Sequence, residues 1–171
     1  MITYMSCLFN SLHHFIPNES SHSIRQKICD YLQNNSPIMD VLETADILQL
    51  DSGPGGAVKY IESMRNVSTW GGAIEIQAAC NLWSFRIIVR NNREQEKSII
   101  EFLPISELLR LPEATTEFNH TPSTSSTEYN QKTSACKQAS VFLHLPADRS
   151  KLWTKTIELK WTGGHYEPVR S

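Results

Sequence analysis

The apolar residues of this chain change their spacing near Trp83, and this change constrains the fold more than any other feature of the sequence. Before it, they recur at helical intervals, as in residues 8–16, where they occupy positions i, i+4, i+7 and i+8. After it, they form short β-branched runs such as Ile-Ile-Val at residues 87–89, which are typical of buried strands. Helices first and strands later indicate an α+β fold, with both kinds of element packed in layers of one domain.

Breaks in these two patterns divide the chain into elements. Asn-Asn-Ser-Pro at residues 34–37, "DSGPGG" at 51–56 and "TWGG" at 69–72 are typical of turns and loops. Ser21 is placed to cap the second helix. The patterns predict helices at residues 8–16, from 21 to the break at 34, and at 38–48, 57–64 and 74–82, followed by strands at 86–90, 99–103, 141–145, 157–161 and 166–169.

The length and composition fit a single domain. The 171 residues include 40% apolar and 20% charged side chains, an ordinary balance for a chain that buries one core. Residues 113–139 are rich in Ser and Thr and poor in aliphatic side chains, so they cannot bury much surface. We therefore predict one domain over residues 1–171, with a mobile loop at 113–139.

Charge and hydropathy argue against several classes of protein. A net charge of −2 is unlike the basic excess of a general nucleic-acid binder. No apolar run approaches the ~20 residues that span a bilayer, and residues 1–5 have neither the basic region nor the apolar core of a signal peptide. These features predict a cytoplasmic protein, with the nucleus as the alternative location, that has neither a nucleic acid nor a membrane as its partner.

The four cysteines are far apart and form no Cys-x-x-Cys pair, so their spacing predicts neither a zinc site nor a disulfide framework. Cys29, Cys80 and Cys136 are expected to act mainly as small apolar residues. Cys7 differs because it stands where the first helix begins. Unpaired N–H groups and the positive end of the helix dipole stabilise a thiolate there, which makes the thiol a better nucleophile. A buried structural cysteine is the alternative interpretation.

A nucleophilic thiol needs a base, and His165 is the best placed of the six histidines. It follows Gly163 and Gly164, which let a backbone or a substrate approach closely. Glu167 lies two positions further on, and residues i and i+2 of an extended chain point to the same side. Its carboxylate is therefore placed to orient the imidazole, as the third member of a catalytic triad does. Polar side chains that simply face solvent are the alternative.

Three blocks of sequence, in order, carry a family resemblance: "CLFNSL" from residue 7, "WGGAIEIQAAC" at 70–80 with "FRIIV" after it, and "WTGGHYEPV" at 161–169. In these blocks the chain resembles the ovarian tumour (OTU) domain cysteine proteases, and the resemblance spans nearly its whole length. It implies a papain-like α+β fold with helices flanking a central, mostly antiparallel sheet. It also implies a monomer that hydrolyses isopeptide bonds to ubiquitin, polyubiquitin chains or a ubiquitin-like modifier, without a cofactor or a metal.

The resemblance also assigns roles within the site. Cys7 is the nucleophile that attacks the carbonyl carbon, and His165 is the base that takes the thiol proton. The tetrahedral oxyanion is held by backbone N–H groups near the nucleophile. The residues that supply them are expected to be Tyr4, Met5 and Cys7.

Two further expectations concern the surroundings of the site. Gly163 and Gly164 suit a narrow substrate channel, because a Gly-Gly tail leaves no room for side chains. Trp70 is expected to be a large core aromatic that steadies the following helix, rather than a residue that contacts substrate.

One departure from the family pattern affects the third catalytic residue. The family usually has Asp-Gly-Asn/Asp-Cys, whereas residues 4–7 of this chain are Tyr-Met-Ser-Cys. Tyr4 cannot act as a carboxylate, which leaves Glu167 as the best placed third member. Asn10 is a weaker candidate, because the helix is expected to carry it away from the imidazole.

Two rival functions follow from the same residues. The departure at Tyr4 and Met5 leaves open a catalytically weak OTU-like module that binds ubiquitin without cutting it. A nucleotide-binding module is suggested only by "DSGPGGAVK" at residues 51–59, which does not fit the phosphate-loop pattern G-x-x-x-x-G-K-[ST].

Overall fold

The structure is a computed structural model that describes residues 5–52, 55–93, 96–105 and 153–170, without the side chain of Glu96. The predicted strand at 141–145 and the predicted loop at 113–139 lie outside these residues. In the described part, helices come first and strands follow, as the change of spacing predicts. The elements are α1 (Cys7–Phe15), α2 (Ser21–Gln33), α3 (Thr44–Ser52), α4 (Gly56–Arg65), α5 (Ala73–Trp83), β1 (Phe85–Arg93), β2 (Glu96–Phe102), β3 (Lys155–Trp161) and β4 (Tyr166–Pro168).

The described strands form one mixed sheet in the order β2-β1-β3-β4. β1 is antiparallel to β2 and parallel to β3, while β3 is antiparallel to β4. Ile87 aligns with Phe102 on one side and with Ile157 on the other. The predicted α+β fold is therefore confirmed, and one of the three pairings, β1 with β3, is parallel within an otherwise antiparallel sheet.

The core lies between this sheet and the helices. Phe85, Ile87 and Val89 alternate into it along β1, as the two-residue period of a strand requires. α5 packs on β1 and β2, and α1 packs against β4. Burial of each large apolar side chain contributes about 1.5–3 kcal/mol relative to its exposure. The helical side chains of this core include Leu8, Phe9, Leu12, Ile76 and Ala79.

α2 begins at Ser21 as predicted, but the residue before it forms the cap. The hydroxyl of Ser20 accepts a hydrogen bond from the backbone N–H of Ser23 at 3.0 Å. Arg25 lies on the buried side of this helix and is 1% exposed. A charged side chain at that depth is costly unless it is paired and hydrogen-bonded, and the partners of Arg25 lie beside the site described below.

The third helix is shifted from its predicted position at 38–48 to Thr44–Ser52. Its first turn is held by residues far back in the chain. The side-chain oxygen of Asn35 accepts a hydrogen bond from the N–H of Ala45 at 2.9 Å, and the hydroxyl of Thr44 donates to the carbonyl of Ser36 at 2.7 Å. Because this cap comes from ten residues away, no local capping signal marked the true start of α3.

Candidate active site

The first turn of α1 lies against the last described strand. Cys7 is the first residue of α1, and its side chain is buried. The backbone N–H of Tyr166 donates to Sγ of Cys7 at 3.4 Å, and the hydroxyl of Ser11 donates to the carbonyl of Tyr166 at 3.0 Å. These two contacts fix the thiol beside β4, although the residues are some 159 positions apart in sequence.

A pocket of about 340 Å³ forms where α1 meets β4. It brings together the three residues that the sequence analysis predicts as catalytic. Asn10, which was expected to be carried away from the imidazole, reaches the same pocket from α1. The lining residues are Cys7, Asn10, Ser11, His165, Tyr166, Glu167 and Pro168.

Glu167 lies on the side of His165, at a distance typical of a loose ion pair. Its Oε1 is 4.0 Å from Nε2 of His165, and its other oxygen is 3.8 Å from Nζ of Lys160. A separation of 4.0 Å is longer than a hydrogen bond. The His165 and Glu167 side chains are 38% and 48% exposed, so solvent screens their interaction. The carboxylate therefore lies beside the imidazole without fixing it by a direct hydrogen bond in this conformation.

A tight turn leads the chain into His165. The N–H of Thr162 donates to the carbonyl of His165 at 3.1 Å, and Gly163 has φ +93°, a conformation that L side chains rarely adopt. A Cβ on Gly164 would lie 3.2 Å from the ring of Trp70. Gly163 thus permits the turn and Gly164 lets it pack closely on Trp70, while their role as a substrate channel stays a prediction.

Trp70 was expected in the core, and this expectation is wrong. The side chain is 44% exposed. Its indole N–H contacts Sδ of Met5, just before the nucleophile helix, while its ring packs on Gly164. Trp70 therefore bridges the segment before Cys7 and the turn before His165. A tryptophan followed by two glycines, which allow close backbone approach, was the available sequence signal.

Ser6 occupies the N-cap position of α1 but makes no side-chain capping bond to that helix. Its hydroxyl instead donates to the carbonyl of Val67 at 3.0 Å and accepts from Nη2 of Arg25 at 3.1 Å. The first-turn N–H groups of α1 are therefore left uncapped by Ser6, beside the thiol of Cys7. Arg25 was not predicted as a residue of this region, although a charged residue three positions before Ile28 on the apolar face of α2 was a visible signal.

The family follows from comparison with known proteins. The profile of the OTU-like cysteine proteases matches residues 6–166. The chain belongs to this family. No match was found among curated proteins.

Solved structures share the OTU fold with this chain at low sequence identity. An ovarian tumour (OTU) domain in complex with ubiquitin is 16% identical with a TM-score of 0.54, and the alignment covers 98% of this chain and 65% of that one. This OTU-family chain therefore spans just under two thirds of the length of that chain. An OTU deubiquitinase from Wolbachia pipientis wMel is 18% identical with a TM-score of 0.56, and the alignment covers 99% of this chain and 84% of that one. The viral OTU domain protease from Dera Ghazi Khan virus is 15% identical with a TM-score of 0.53, and the alignment covers 95% of this chain and 72% of that one.

The predicted oxyanion groups are only partly within the described residues of this OTU-family chain. Tyr4 lies outside them. Met5 is 41% exposed and turns its sulfur towards Trp70, and Cys7 opens α1. The assignment of their backbone N–H groups to an oxyanion stays a prediction.

The other described thiols line no part of this pocket. Cys29 and Cys80 are fully buried, and burial raises the pKa of Cys29 to about 11 and that of Cys80 to about 12. Both are therefore protonated and unreactive at neutral pH. Cys136 lies outside the described residues.

Among the described residues, no three His, Cys, Asp or Glu side chains are grouped to hold a metal ion. No helix among them has both the length and the apolar character needed to cross a membrane.

Proposed function

We propose that this chain is a deubiquitinase that hydrolyses isopeptide bonds to the C-terminal glycine of ubiquitin. The observation that carries the proposal is the single pocket in which Cys7 of α1 meets His165 and Glu167 beside β4. A thiol and an imidazole at one concave site are the two groups that nucleophilic cysteine catalysis requires.

The reaction runs in two steps. Sγ of Cys7 attacks the carbonyl carbon of the isopeptide bond, and His165 takes the thiol proton and passes it to the departing lysine amine. Water then attacks the carbonyl carbon of the thioester between Cys7 and ubiquitin while His165 accepts a proton from that water. The C–S bond breaks, the carboxylate of ubiquitin departs, and His165 returns the proton to Sγ of Cys7. The thiol in the first step and water in the second step give their proton to the same imidazole, so one histidine serves both steps.

The start of α1 suits the negative charge that develops in both steps. Its first-turn N–H groups carry no cap from Ser6, and the positive end of the helix dipole lies there. We assign the oxyanion to backbone N–H groups around Met5 and Cys7, with Tyr4 completing the set. Donors of this kind are most effective when they are already oriented before the charge appears.

Ubiquitin is proposed as the partner from two kinds of support. The family is one of cysteine proteases, and two structures with the same fold, one of them the Wolbachia enzyme, are described as bound to ubiquitin. The glycine turn before His165 adds a local reason, because Gly163 and Gly164 suit the passage of a narrow Gly-Gly tail.

The test is cleavage of a panel of linkage-defined diubiquitins, together with labelling by a ubiquitin-based electrophilic probe. We expect wild-type chain to cut at least one linkage and to be trapped by the probe. Cys7→Ala should lose turnover by several orders of magnitude while still binding ubiquitin, since loss of a nucleophile far exceeds the loss of a binding contact. Cys29→Ala is the matched control and should keep turnover per folded molecule.

Two results would overturn the proposal. Comparable turnover in Cys7→Ala would remove Cys7 from the reaction. Ubiquitin binding without cleavage or probe labelling by the wild-type chain would favour the second candidate, an OTU-like binding module. The 4.0 Å separation of His165 and Glu167 and the Met5 side chain are the observations in favour of that module.

A further inference from the structure

We infer that Arg25 is a positioning residue of the proposed protease, whose guanidinium holds the segment before Cys7 and the segment before Trp70 at one fixed separation. The inference rests on the proposed function for its kinetic part only. Neither the family resemblance nor the catalytic pocket includes Arg25, because it lies on α2 and lines no part of that pocket.

The contacts of Arg25 reach two separate segments of the chain, through backbone carbonyls in one and side chains in the other. Nη1 donates to the carbonyl of Met64 at 2.8 Å and to the carbonyl of Thr69 at 3.0 Å. Nη2 donates to the hydroxyl of Ser6 at 3.1 Å. The guanidinium also lies 3.8 Å above the ring of Phe9, the third residue of α1. One buried guanidinium thus joins the start of α1, which carries Cys7, to the end of the segment that leads into Trp70.

Two of these partners lie one residue away from Cys7 or from Trp70. Ser6 precedes Cys7, and Thr69 precedes Trp70. Trp70 in turn contacts Met5 and packs on Gly164, next to His165. A displacement of either segment would therefore move the thiol relative to the imidazole. Displacements of about 1 Å reduce turnover by roughly 100-fold in enzymes that depend on such alignment.

The guanidinium also determines the direction of the Ser6 hydroxyl. Because Nη2 of Arg25 donates to the hydroxyl oxygen of Ser6, the hydroxyl proton of Ser6 points towards the carbonyl of Val67. This bond uses one of the two lone pairs of the oxygen, which makes no capping bond to the first turn of α1. Arg25 therefore helps to leave the N–H groups beside Cys7 open to the reaction.

The test compares Arg25→Lys and Arg25→Met with a matched control, Arg65→Met. Arg65 also joins α4 to α2, through hydrogen bonds to Gln26, Asp30 and Gln33, but contacts no group of the site. Two readouts are measured below the unfolding temperature of every variant. The first is kcat and KM for a diubiquitin that the wild-type chain cuts, and the second is amide hydrogen exchange in residues 5–9 and 66–72.

We expect kcat to fall about 10- to 100-fold in both Arg25 variants, with KM within about threefold of wild type. Lys keeps the charge, but its single ammonium cannot reach Ser6 and both carbonyls as the planar fork does. Exchange should quicken at 5–9 and at 66–72 in the Arg25 variants and at neither segment in Arg65→Met. If Arg25→Met fails to fold, Arg25→Lys decides the question.

Wild-type kcat in Arg25→Lys, with unchanged exchange at both segments, would overturn the inference. So would equal losses in the Arg25 and Arg65 variants, since these would report general destabilisation. If the wild-type chain cuts no diubiquitin, the proposed function fails, and hydrogen exchange alone then decides. Faster exchange at both segments in Arg25→Lys would still support the positioning role, and unchanged exchange would reject it.

Discussion

At the scale of single residues, the described cysteines carry the same thiol group but lie in different surroundings. Cys7 lines an open pocket at a helix start, whereas Cys29 and Cys80 are sealed in the core with a pKa of about 11 and about 12. Only a thiolate reacts readily, so burial makes two of these three thiols inert at neutral pH.

Brief treatment with iodoacetamide at pH 7.5 should therefore modify Cys7 well before Cys29 or Cys80. Peptide mass spectrometry measures the modified fraction at each position over time. Unfolding the chain in denaturant is the control, because all these thiols should then react at similar rates. Earlier modification of Cys29 or Cys80 in the folded chain would contradict the assignment of Cys7.

Replacing Glu167 with Gln should lower kcat by roughly 10- to 100-fold, less than replacement of Cys7 or His165, because an orienting group matters less than nucleophile or base. Catalytic hydrogen bonds often tighten only when substrate is bound, so the 4.0 Å separation leaves room for this role. Turnover of linkage-defined diubiquitin is the measurement.

Lys160→Met is the matched control for Glu167, since it removes the other charge near the same carboxylate. It should leave kcat within about twofold, as expected for an exposed ion pair. Near-normal turnover in Glu167→Gln would instead identify a Cys–His dyad.

At the scale of elements, the sequence predicts best where burial alone decides the structure. α5 and β1 lie within a few residues of their predicted positions because their periodicity records which side chains face the core. The start of α3 was missed because its cap comes from Asn35. Cys7, His165 and Glu167 could be predicted as neighbours, and the structure brings them to one pocket, because each carries its own chemical signal in a short motif; their catalytic roles stay a prediction.

Tertiary contacts explain what remained hidden at the site. Trp70 lies near the surface rather than in the core, and two distant segments, one at Met5 and one at Gly164, meet on it. The partners of Arg25 are mostly backbone carbonyls, and a sequence does not show where carbonyls converge. The convergence of these carbonyls can be seen only in the folded structure.

Asn35 offers a test of the distant cap. Its side chain accepts from Ala45, and its φ of 53° lies in the left-handed region that Asn tolerates. Asn35→Ala should lower the free energy of unfolding by about 2 kcal/mol, of which about 1 reflects the cap and about 1 the backbone conformation.

Asn35→Gly is the matched variant, because it removes the cap but keeps the left-handed conformation accessible. It should lose about 1 kcal/mol in denaturant unfolding. Full stability in both variants would show that the bond to Ala45 does not hold α3.

At the scale of the whole molecule, the long connection between β2 and β3 begins and ends at one place. The N–H of Ile105 donates to the side chain of Asn81 near the end of α5. The N–H of Thr154 donates to the carbonyl of Ser84, just after that helix. Both described ends of the connection are thus anchored to the same short stretch of chain, and little length is needed to join them.

Deletion of residues 113–139, with a short Gly-Ser linker in their place, should therefore leave a chain that folds and cuts ubiquitin. Shortening a connection changes its closure entropy only slowly with length. Thermal unfolding and diubiquitin cleavage are the measurements, with the full chain as the control. A variant that folds but no longer binds ubiquitin would identify this segment as a recognition element.

The contact between Tyr166 and Cys7 also orders events in time. The thiol emerges from the ribosome about 159 residues before the amide that holds it, and chains are made from the N-terminus onward. A nascent chain that ends before residue 165 carries the nucleophile without its base. In the proposed protease, the order of synthesis thus delays activity, because the nascent chain cannot remove ubiquitin from nearby proteins before His165 and Tyr166 have been made.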